Sequence, residues 1–194
     1  MSIDNPFIKE ADKLKLEGRH LEAIKLCQKI LLSDVDCVAA YEEIGDNYLS
    51  LKDYEKAEKA LKYALKLDNR NANAHYLIGF LYSCLGSWHE SIQHLEESDQ
   101  IERNHPEILR CLGWSYFHSG NRKRGLIVLE RALNLNVNDC LILCDLAVCY
   151  LHEKSFDRTI ELLNRAVHID PNNEKVHQCL KTALFFKKEY EKKR

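Results

Sequence analysis

The chain has 194 residues, 45% of them hydrophobic and 30% charged, with a net charge of −2, a composition that excludes a disordered chain and lacks the basic excess of a dedicated nucleic-acid binder. Its 7 Gly and 3 Pro are too few turn-forming residues for a sandwich or barrel of many short strands. The length fits one domain or one array of small units, and we expect a single domain over residues 1–194.

The N-terminal segment and the apolar runs predict the location. Residues 1–6 contain no basic stretch followed by an apolar one, which a secretory signal would show. The longest apolar runs, such as 141–143, are far below the ~18 residues of a membrane span. We therefore expect a cytoplasmic protein that does not bind membranes, with its eight cysteines present as single thiols packed like small apolar residues.

The sequence repeats with a period of 34 residues. This interval separates Tyr48, Tyr82, Tyr116 and Tyr150, and also Gly45, Gly79 and Gly113. The period continues without an insertion, so it defines five repeats and a tail. The repeats are 4–37, 38–71, 72–105, 106–139 and 140–173, and the tail is 174–194.

Each repeat predicts two helices joined by a turn, because its apolar residues recur at helical spacing. In the fourth repeat, Leu109, Leu112, Gly113 and Tyr116 share one helix face at i, i+3, i+4 and i+7. Small residues at repeat positions 8, 20 and 27 let the two backbones approach closely. Because a hairpin of this size cannot bury its apolar face alone, we expect successive hairpins to stack.

The tail predicts a final capping helix over 174–194. Val176, Leu180, Ala183 and Leu184 form its apolar stripe, and the rest of its surface is mostly basic. Positive charge suits the C-terminus of a helix, whose dipole favours cations. We interpret the basic cluster as a solvated end rather than as a targeting signal.

These residues resemble the motif of the tetratricopeptide repeat family, with a large residue at position 4, Gly or Ala at 8, Tyr at 11 and Ala at 20 and 27. The second repeat matches best, through Tyr41, Ile44, Gly45, Tyr48, Ala57, Leu61 and Ala64. The departures include Ile30 at position 27 and Ser91, Gly125 and Thr159 at position 20. The resemblance covers nearly the whole chain. It implies an all-α fold, a right-handed superhelical α-solenoid of antiparallel helix hairpins.

Catalytic and metal-binding motifs are missing from the sequence, which has no Gly-rich phosphate loop, GxSxG, HExxH or paired CxxC. We therefore predict that the protein is not an enzyme and needs no cofactor. Position 13 aligns Cys84, His118 and His152 in one column, and these residue types are zinc ligands. Neighbouring helices pack about 8–10 Å apart, whereas zinc ligands lie about 2.0–2.3 Å from the ion, so we predict no metal site there.

The resemblance also implies a concave groove, lined in this family by positions 2, 5, 9 and 12 of each first helix. In the first two repeats these positions form a mainly acidic wall that includes Asn5, Asp12, Glu42 and Asp46. In the later repeats they are apolar and aromatic around one arginine. There we predict the partner-binding residues to be Tyr76, Phe80, Arg110, Trp114, Phe117, Cys144, Val148 and Leu151.

Position 9 carries most of this prediction, because it is usually polar in the family and here holds Phe80, Trp114 and Val148. Aromatic residues at positions 5 and 12, such as Tyr76 and Phe117, also serve in the family to stiffen the array. A row of apolar residues on an exposed face indicates a partner site. We expect a peptide to lie along this row while Arg110 takes an acidic group.

The predicted function is a protein-interaction scaffold or adaptor that binds a peptide or helix of a partner protein, acting as a monomer or weak homo-oligomer. One alternative is a dedicated chaperone for an apolar segment of a secreted or assembling protein. Another is a self-assembling structural module, in which the groove takes the tail of a second copy with its Phe185, Phe186 and Tyr190.

Overall fold

A computed structural model describes residues 6–193, and the structural statements below concern those residues. Asp4, Asn5 and Arg194, which belong to the predicted first repeat, acidic wall and tail, lie outside the described residues. The predicted all-α class is confirmed, since residues 6–193 form helices and turns without strands. The helices are α1 (Pro6–Leu16), α2 (His20–Ser33), α3 (Val38–Ser50), α4 (Tyr54–Leu67), α5 (Ala72–Leu85), α6 (Trp88–Ile101), α7 (Pro106–His118), α8 (Arg122–Leu135), α9 (Cys140–His152), α10 (Phe156–Ile169) and α11 (Glu174–Glu191).

The helices pack as consecutive hairpins: α1 with α2, α3 with α4, α5 with α6, α7 with α8 and α9 with α10. Helices α3, α5, α7, α9 and α11 begin at the first residues of the second to fifth repeats and of the tail. The 34-residue period is therefore the period of the hairpins. The assignment of all five repeats to one domain stays a prediction.

The chain divides into two compact units, Met1–Arg103 and Asn104–Arg194, called here the N-terminal half and the C-terminal half. In the N-terminal half α1, α3 and α5 contact one another in sequence, and in the C-terminal half α7 contacts α9. The first helices of successive hairpins are thus neighbours within each half, and their outward side chains lie side by side.

Each half has its own apolar core. In the N-terminal half one cluster contains Ile24 and Ile44 and a second contains Leu61 and Ile78, all buried. The core of the C-terminal half is a single cluster built from α7 to α11 and includes Leu143. Within residues 6–193, no helix combines the length and apolar character needed to cross a membrane.

Small residues bring the two helices of a hairpin into backbone contact, as the repeat positions predict. The closest example joins α7 and α8. A Cβ added to Gly125 would lie 2.6 Å from the backbone nitrogen of Phe117, and one added to Gly113 would lie 2.9 Å from the backbone nitrogen of Leu129. Both distances are too short for a side chain, so glycine is required at both positions for this approach.

The turn inside every hairpin uses one backbone conformation. Position 15 has a positive φ in all five repeats: 74° at Gly18, 59° at Lys52, 74° at Gly86, 97° at Gly120 and 58° at Lys154. Glycine adopts this region freely, whereas a residue with a Cβ is strained there. Two of the five hairpins therefore carry a strained lysine at the turn.

Candidate protein-interaction site

Four predicted residues form an apolar wall in the C-terminal half: Trp114 on α7, and Cys144, Val148 and Leu151 on α9. All four are half-buried, and the three on α9 share one face at i, i+4 and i+7. Trp114, Cys144 and Leu151 pack against the core on one side. Val148 and Leu151 also line a cavity of about 110 Å³ together with side chains of α11. The wall therefore joins the outward faces of α7, α9 and α11.

The side chains of the apolar wall and the imidazole beside Trp114 carry little charge at pH 7. Burial, reinforced by the neighbouring thiols of Cys140 and Cys179, raises the pKa of Cys144 to about 12, so its thiol is uncharged at pH 7. The Trp114 ring lies 4.2 Å from the ring of His118, centroid to centroid. Burial, together with the charges of His152 and Arg122, lowers the pKa of His118, which favours a neutral imidazole beside the indole.

Phe117 is not part of the accessible wall, contrary to the prediction. It is only 3% exposed and belongs to the core cluster of the C-terminal half. Its ring is flanked by the imidazoles of His118 and His152 at centroid distances of 5.6 and 6.1 Å. Position 12 of this repeat is therefore a packing position, which the family resemblance had allowed.

Arg110 is occupied within the chain, which corrects the expectation that it takes an acidic group from a partner. Its guanidinium contacts the carboxylates of Glu107 and Asp145, both at 2.5 Å, and its side chain is 13% exposed. Burial lowers the pKa of Arg110, but the hydrogen bond to Glu107 and the charge of Asp145 raise it by more. Arg110 thus ties α7 to α9 and stays charged.

Tyr76 and Phe80 lie in the N-terminal half, so they are described apart from the apolar wall. They occupy successive turns of α5, their rings are stacked with centroids 6.4 Å apart, and both pack against the second core cluster of that half. Both side chains are half-buried. They form a small aromatic surface of their own.

The acidic wall of the N-terminal half is held together by Lys15. Its ammonium contacts Asp12 at 3.0 Å, Glu43 at 3.3 Å and Asp46 at 2.8 Å. Burial lowers the pKa of Lys15, but its hydrogen bond to Asp46 and the neighbouring carboxylates raise it by more. Part of the negative charge that the sequence places on this wall is therefore neutralised within the chain.

The column at position 13 brings His118 and His152 to a ring-centroid distance of 6.3 Å, and Cys84 lies in the N-terminal half. Within residues 6–193, no three His, Cys, Asp or Glu residues are grouped so that they could hold a metal ion. All eight cysteines are free thiols, four of them buried: Cys27, Cys37, Cys111 and Cys149.

A second concave surface, at the end of the C-terminal half, was not predicted from the sequence. It is lined by Leu151 and Phe156 together with Phe186 and Tyr190 of α11. A signal was present: α9 ends at position 13 of its repeat, whereas α11 carries an aromatic residue at position 17, Tyr190. The apolar residues of the tail continue past the point where the preceding first helices end.

Comparisons with known proteins agree with the period and the hairpins. A family model described as TPR repeat matches residues 45–86. Anaphase-promoting complex subunit 3 of Schizosaccharomyces pombe is 25% identical over 117 residues, a match that covers 58% of this chain and 18% of that protein. The matched region is thus less than a fifth of the relative's length.

Solved structures share the fold at low sequence identity. TTC0263, a thermophilic TPR protein of Thermus thermophilus, superposes with a TM-score of 0.81 at 17% identity, covering 93% of this chain and 98% of that one. The APC/C hetero-tetramer Cut9-Hcn1 gives a TM-score of 0.86 at 20% identity, covering 92% and 36%. YrrB, described as a TPR protein with an unusual peptide-binding site, gives 0.66 at 19% identity, covering 91% of each chain. With its 34-residue period and its hairpins, the chain has the fold of tetratricopeptide repeat proteins, and residues 45–86 match the model of that repeat.

Proposed function

We propose that the protein is a non-catalytic scaffold whose apolar wall binds an apolar segment of a partner protein, either extended or helical. Tetratricopeptide repeats generally serve protein–protein interaction. The observation that carries the proposal is the wall itself, four half-buried apolar side chains on two contacting helices. Contiguous apolar surface of this kind marks interaction sites, and Trp is enriched at their energetic centres.

The similarities support a binding role without naming a partner. The curated relative is named as a subunit of a complex, and one structural neighbour is described as having a peptide-binding site. In our proposal Arg110 fixes α7 against α9 and does not contact the partner, because its guanidinium is already held by two carboxylates.

The proposal also covers the cellular location, the class of partner and the oligomeric state. Eight free thiols suit a reducing compartment, and we place the protein in the cytoplasm. A net charge of −2 favours protein or peptide partners over nucleic acid. We propose that the chain acts as a monomer or weak homo-oligomer.

The two tryptophans of the chain allow a matched test. In a Trp88→Phe variant the only indole is Trp114, so tryptophan emission reports on the apolar wall. This protein can be screened against an array of apolar peptides, and the best binder then titrated in solution. We expect a blue shift and saturation, because a bound segment removes water from the Trp114 ring.

Two alanine variants of the otherwise native protein then distinguish binding at the apolar wall from binding elsewhere on the surface. Trp114→Ala should weaken the selected peptide about thirtyfold, or ~2 kcal/mol, as expected for a central contact residue. Trp88→Ala, on α6 of the N-terminal half, should leave the affinity unchanged. If Trp114→Ala keeps the native circular dichroism spectrum and the full affinity, the apolar wall is not the binding site.

A further inference from the structure

The C-terminal half contains a cleft of about 540 Å³ where the turn between α9 and α10 meets the last turns of α11. We call it the end cleft. Its apolar lining consists of Leu151, Phe156, Phe186 and Tyr190. The rings of Phe156 and Tyr190 are 5.3 Å apart, centroid to centroid, and form its floor. Phe186 and Tyr190 are 49% and 40% exposed, so the cleft is open to solvent.

The end cleft exists because α11 does not turn where the other first helices do. Tyr190 lies 34 residues after Phe156, in the same repeat position. Phe156 opens the second helix of its hairpin, whereas α11 continues through Tyr190 to Glu191. The extra residues, 187–191, carry the Tyr190 ring past the position where α9 ends, and the described chain places no further helix over it.

The charges around the end cleft are mainly positive. Lys154 and Lys193 also line it, and the Lys154 ammonium stands 5.7 Å from the centre of the Tyr190 ring. The one lining carboxylate, Glu189, is compensated by Lys192 at 2.7 Å. Residues 104–194 contain 15 Lys or Arg against 11 Asp or Glu, so the surrounding field favours an acidic partner.

We propose that the end cleft is a second binding site, which takes one aromatic or large aliphatic side chain of a partner segment flanked by acidic residues. The apolar residue inserts against Phe156, Phe186 and Tyr190, and the acidic residues lie toward Lys154 and Lys193. This inference goes beyond the apolar wall, because its ligand chemistry includes charge and its aromatic residues, on α10 and α11, are not part of the wall. The two sites share only Leu151. A concave site suits an inserted side chain better than the flat surface of a membrane.

The test uses a fluorescein-labelled heptapeptide with a central tryptophan and three aspartates on each side, measured by fluorescence anisotropy on the full chain. We expect saturable binding that weakens as salt is added, because salt screens the lysines. Phe186→Ala should reduce the affinity about tenfold or more, as for a contact residue in an interface. A Lys154→Glu and Lys193→Glu double variant should also reduce it. Because Phe186 is half exposed, its replacement should leave the fold intact, which circular dichroism checks.

Matched controls identify the site. Leu32→Ala, at an 88% exposed leucine of the N-terminal half, should leave the affinity unchanged, and so should Trp114→Ala. If Trp114→Ala abolishes binding while Phe186→Ala does not, the peptide occupies the apolar wall. In that case the end-cleft proposal fails while the proposed function stands.

Other results would also overturn the proposal. One is an unchanged affinity when lysines replace the aspartates of the peptide, or when serine replaces its tryptophan. Another is the absence of peptide binding together with flotation on phosphatidylserine vesicles that Phe186→Ala removes, which would identify a membrane surface. A third is a concentration-dependent mass in light scattering that Phe186→Ala removes, which would make a second copy of the chain the occupant.

Discussion

The two halves of the molecule share one backbone plan and present different surfaces. In the N-terminal half, the outward faces of α1 and α3 are joined by an ion network around Lys15. In the C-terminal half, the corresponding faces of α7 and α9 carry one ion cluster around Arg110 and an apolar wall beside it. Residues 1–103 contain 19 acidic and 13 basic side chains, the reverse of the balance in residues 104–194. The difference shows that positions not used for hairpin packing are free to vary from repeat to repeat.

The largest expected loss of stability comes from removing the cation at the centre of each ion cluster, Arg110 in the C-terminal half and Lys15 in the N-terminal half. Arg110→Met should lower the free energy of unfolding by about 3 to 4 kcal/mol, because it leaves two poorly exposed carboxylates without their partner. Lys15→Met should cost less, about 2 kcal/mol, because Asp12 is 52% exposed and water compensates it, although Glu43 at 17% and Asp46 at 31% also lose their partner. Urea unfolding measures both. Equal losses would contradict the view that the ion cluster of the C-terminal half is the more buried one.

The close contact between α7 and α8 should tolerate an added side chain less well than the equivalent contact between α5 and α6 in the N-terminal half. Ser91 occupies the position of Gly125 one repeat earlier, and its hydroxyl donates to the Gly79 carbonyl at 2.7 Å. Gly125→Ser should nevertheless cost about 2 to 3 kcal/mol, because its Cβ meets backbone atoms that cannot move independently. Hydrogen exchange should show the loss within residues 104–193. As a control, Lys123→Ala on the exposed face should change stability by less than about 0.5 kcal/mol.

Low pH should lower the free energy of unfolding of the N-terminal half, because the folded chain disfavours protonation of His94. Nδ1 of His75 lies 3.1 Å from Nδ1 of His94, and burial, with the charges of His75 and Lys62, lowers the pKa of His94 from 6.5 to about 4. Above pH 6.5 His94 is neutral in both states. Below it the unfolded chain takes up a proton that the folded chain does not, so stability falls until about pH 4. Between pH 7 and 5 the loss should be about 2 kcal/mol.

A variant isolates the contribution of His94 to this acid sensitivity. His94→Gln should remove that part of the pH dependence in urea unfolding. In the C-terminal half the equivalent positions hold Leu109 and Val128, which do not titrate. If the His94→Gln protein loses as much stability between pH 7 and 5 as the native protein does, the histidine pair is not the cause.

The smallest expected effect is a gain in stability at the turns. Lys52 has φ 59° in a position where three of the five repeats have glycine. Lys52→Gly should therefore stabilise the protein by about 0.5 to 1 kcal/mol, because it relieves the left-handed strain. Thermal unfolding measures it. Lys59→Gly, within α4, is the control and should destabilise by about 1 kcal/mol; a loss in both variants would mean that the turn is not strained.

Much of the fold was predictable because the sequence repeats the physical requirements of a hairpin. The spacing of Tyr48, Tyr82 and Tyr116, together with small residues at fixed positions, predicts the helix pairs and the places where backbones touch. The starts of α3, α5, α7, α9 and α11 follow from the same count. Periodicity works here because each hairpin packs mainly on its neighbours.

The candidate site was less predictable, because exposure depends on neighbours that a single helix face does not reveal. Trp114 and Phe117 lie one turn apart on α7, yet the first stays half-buried and the second is enclosed by core residues and two imidazoles. The carboxylate of Asp145 that holds Arg110 comes from the next repeat, 35 residues away. The length of α11 was not predictable from position 15, because the lysine there, Lys188, is matched by Lys52 and Lys154, which occupy true turns.

The contact between Gly113 and Gly125 has a mechanical consequence. At this point two helix backbones touch with no side chain between them, so α7 and α8 cannot move closer together there. A partner that changed the shape of the apolar wall would therefore have to move α9 relative to α7, and that movement would stretch the contact between Arg110 and Asp145.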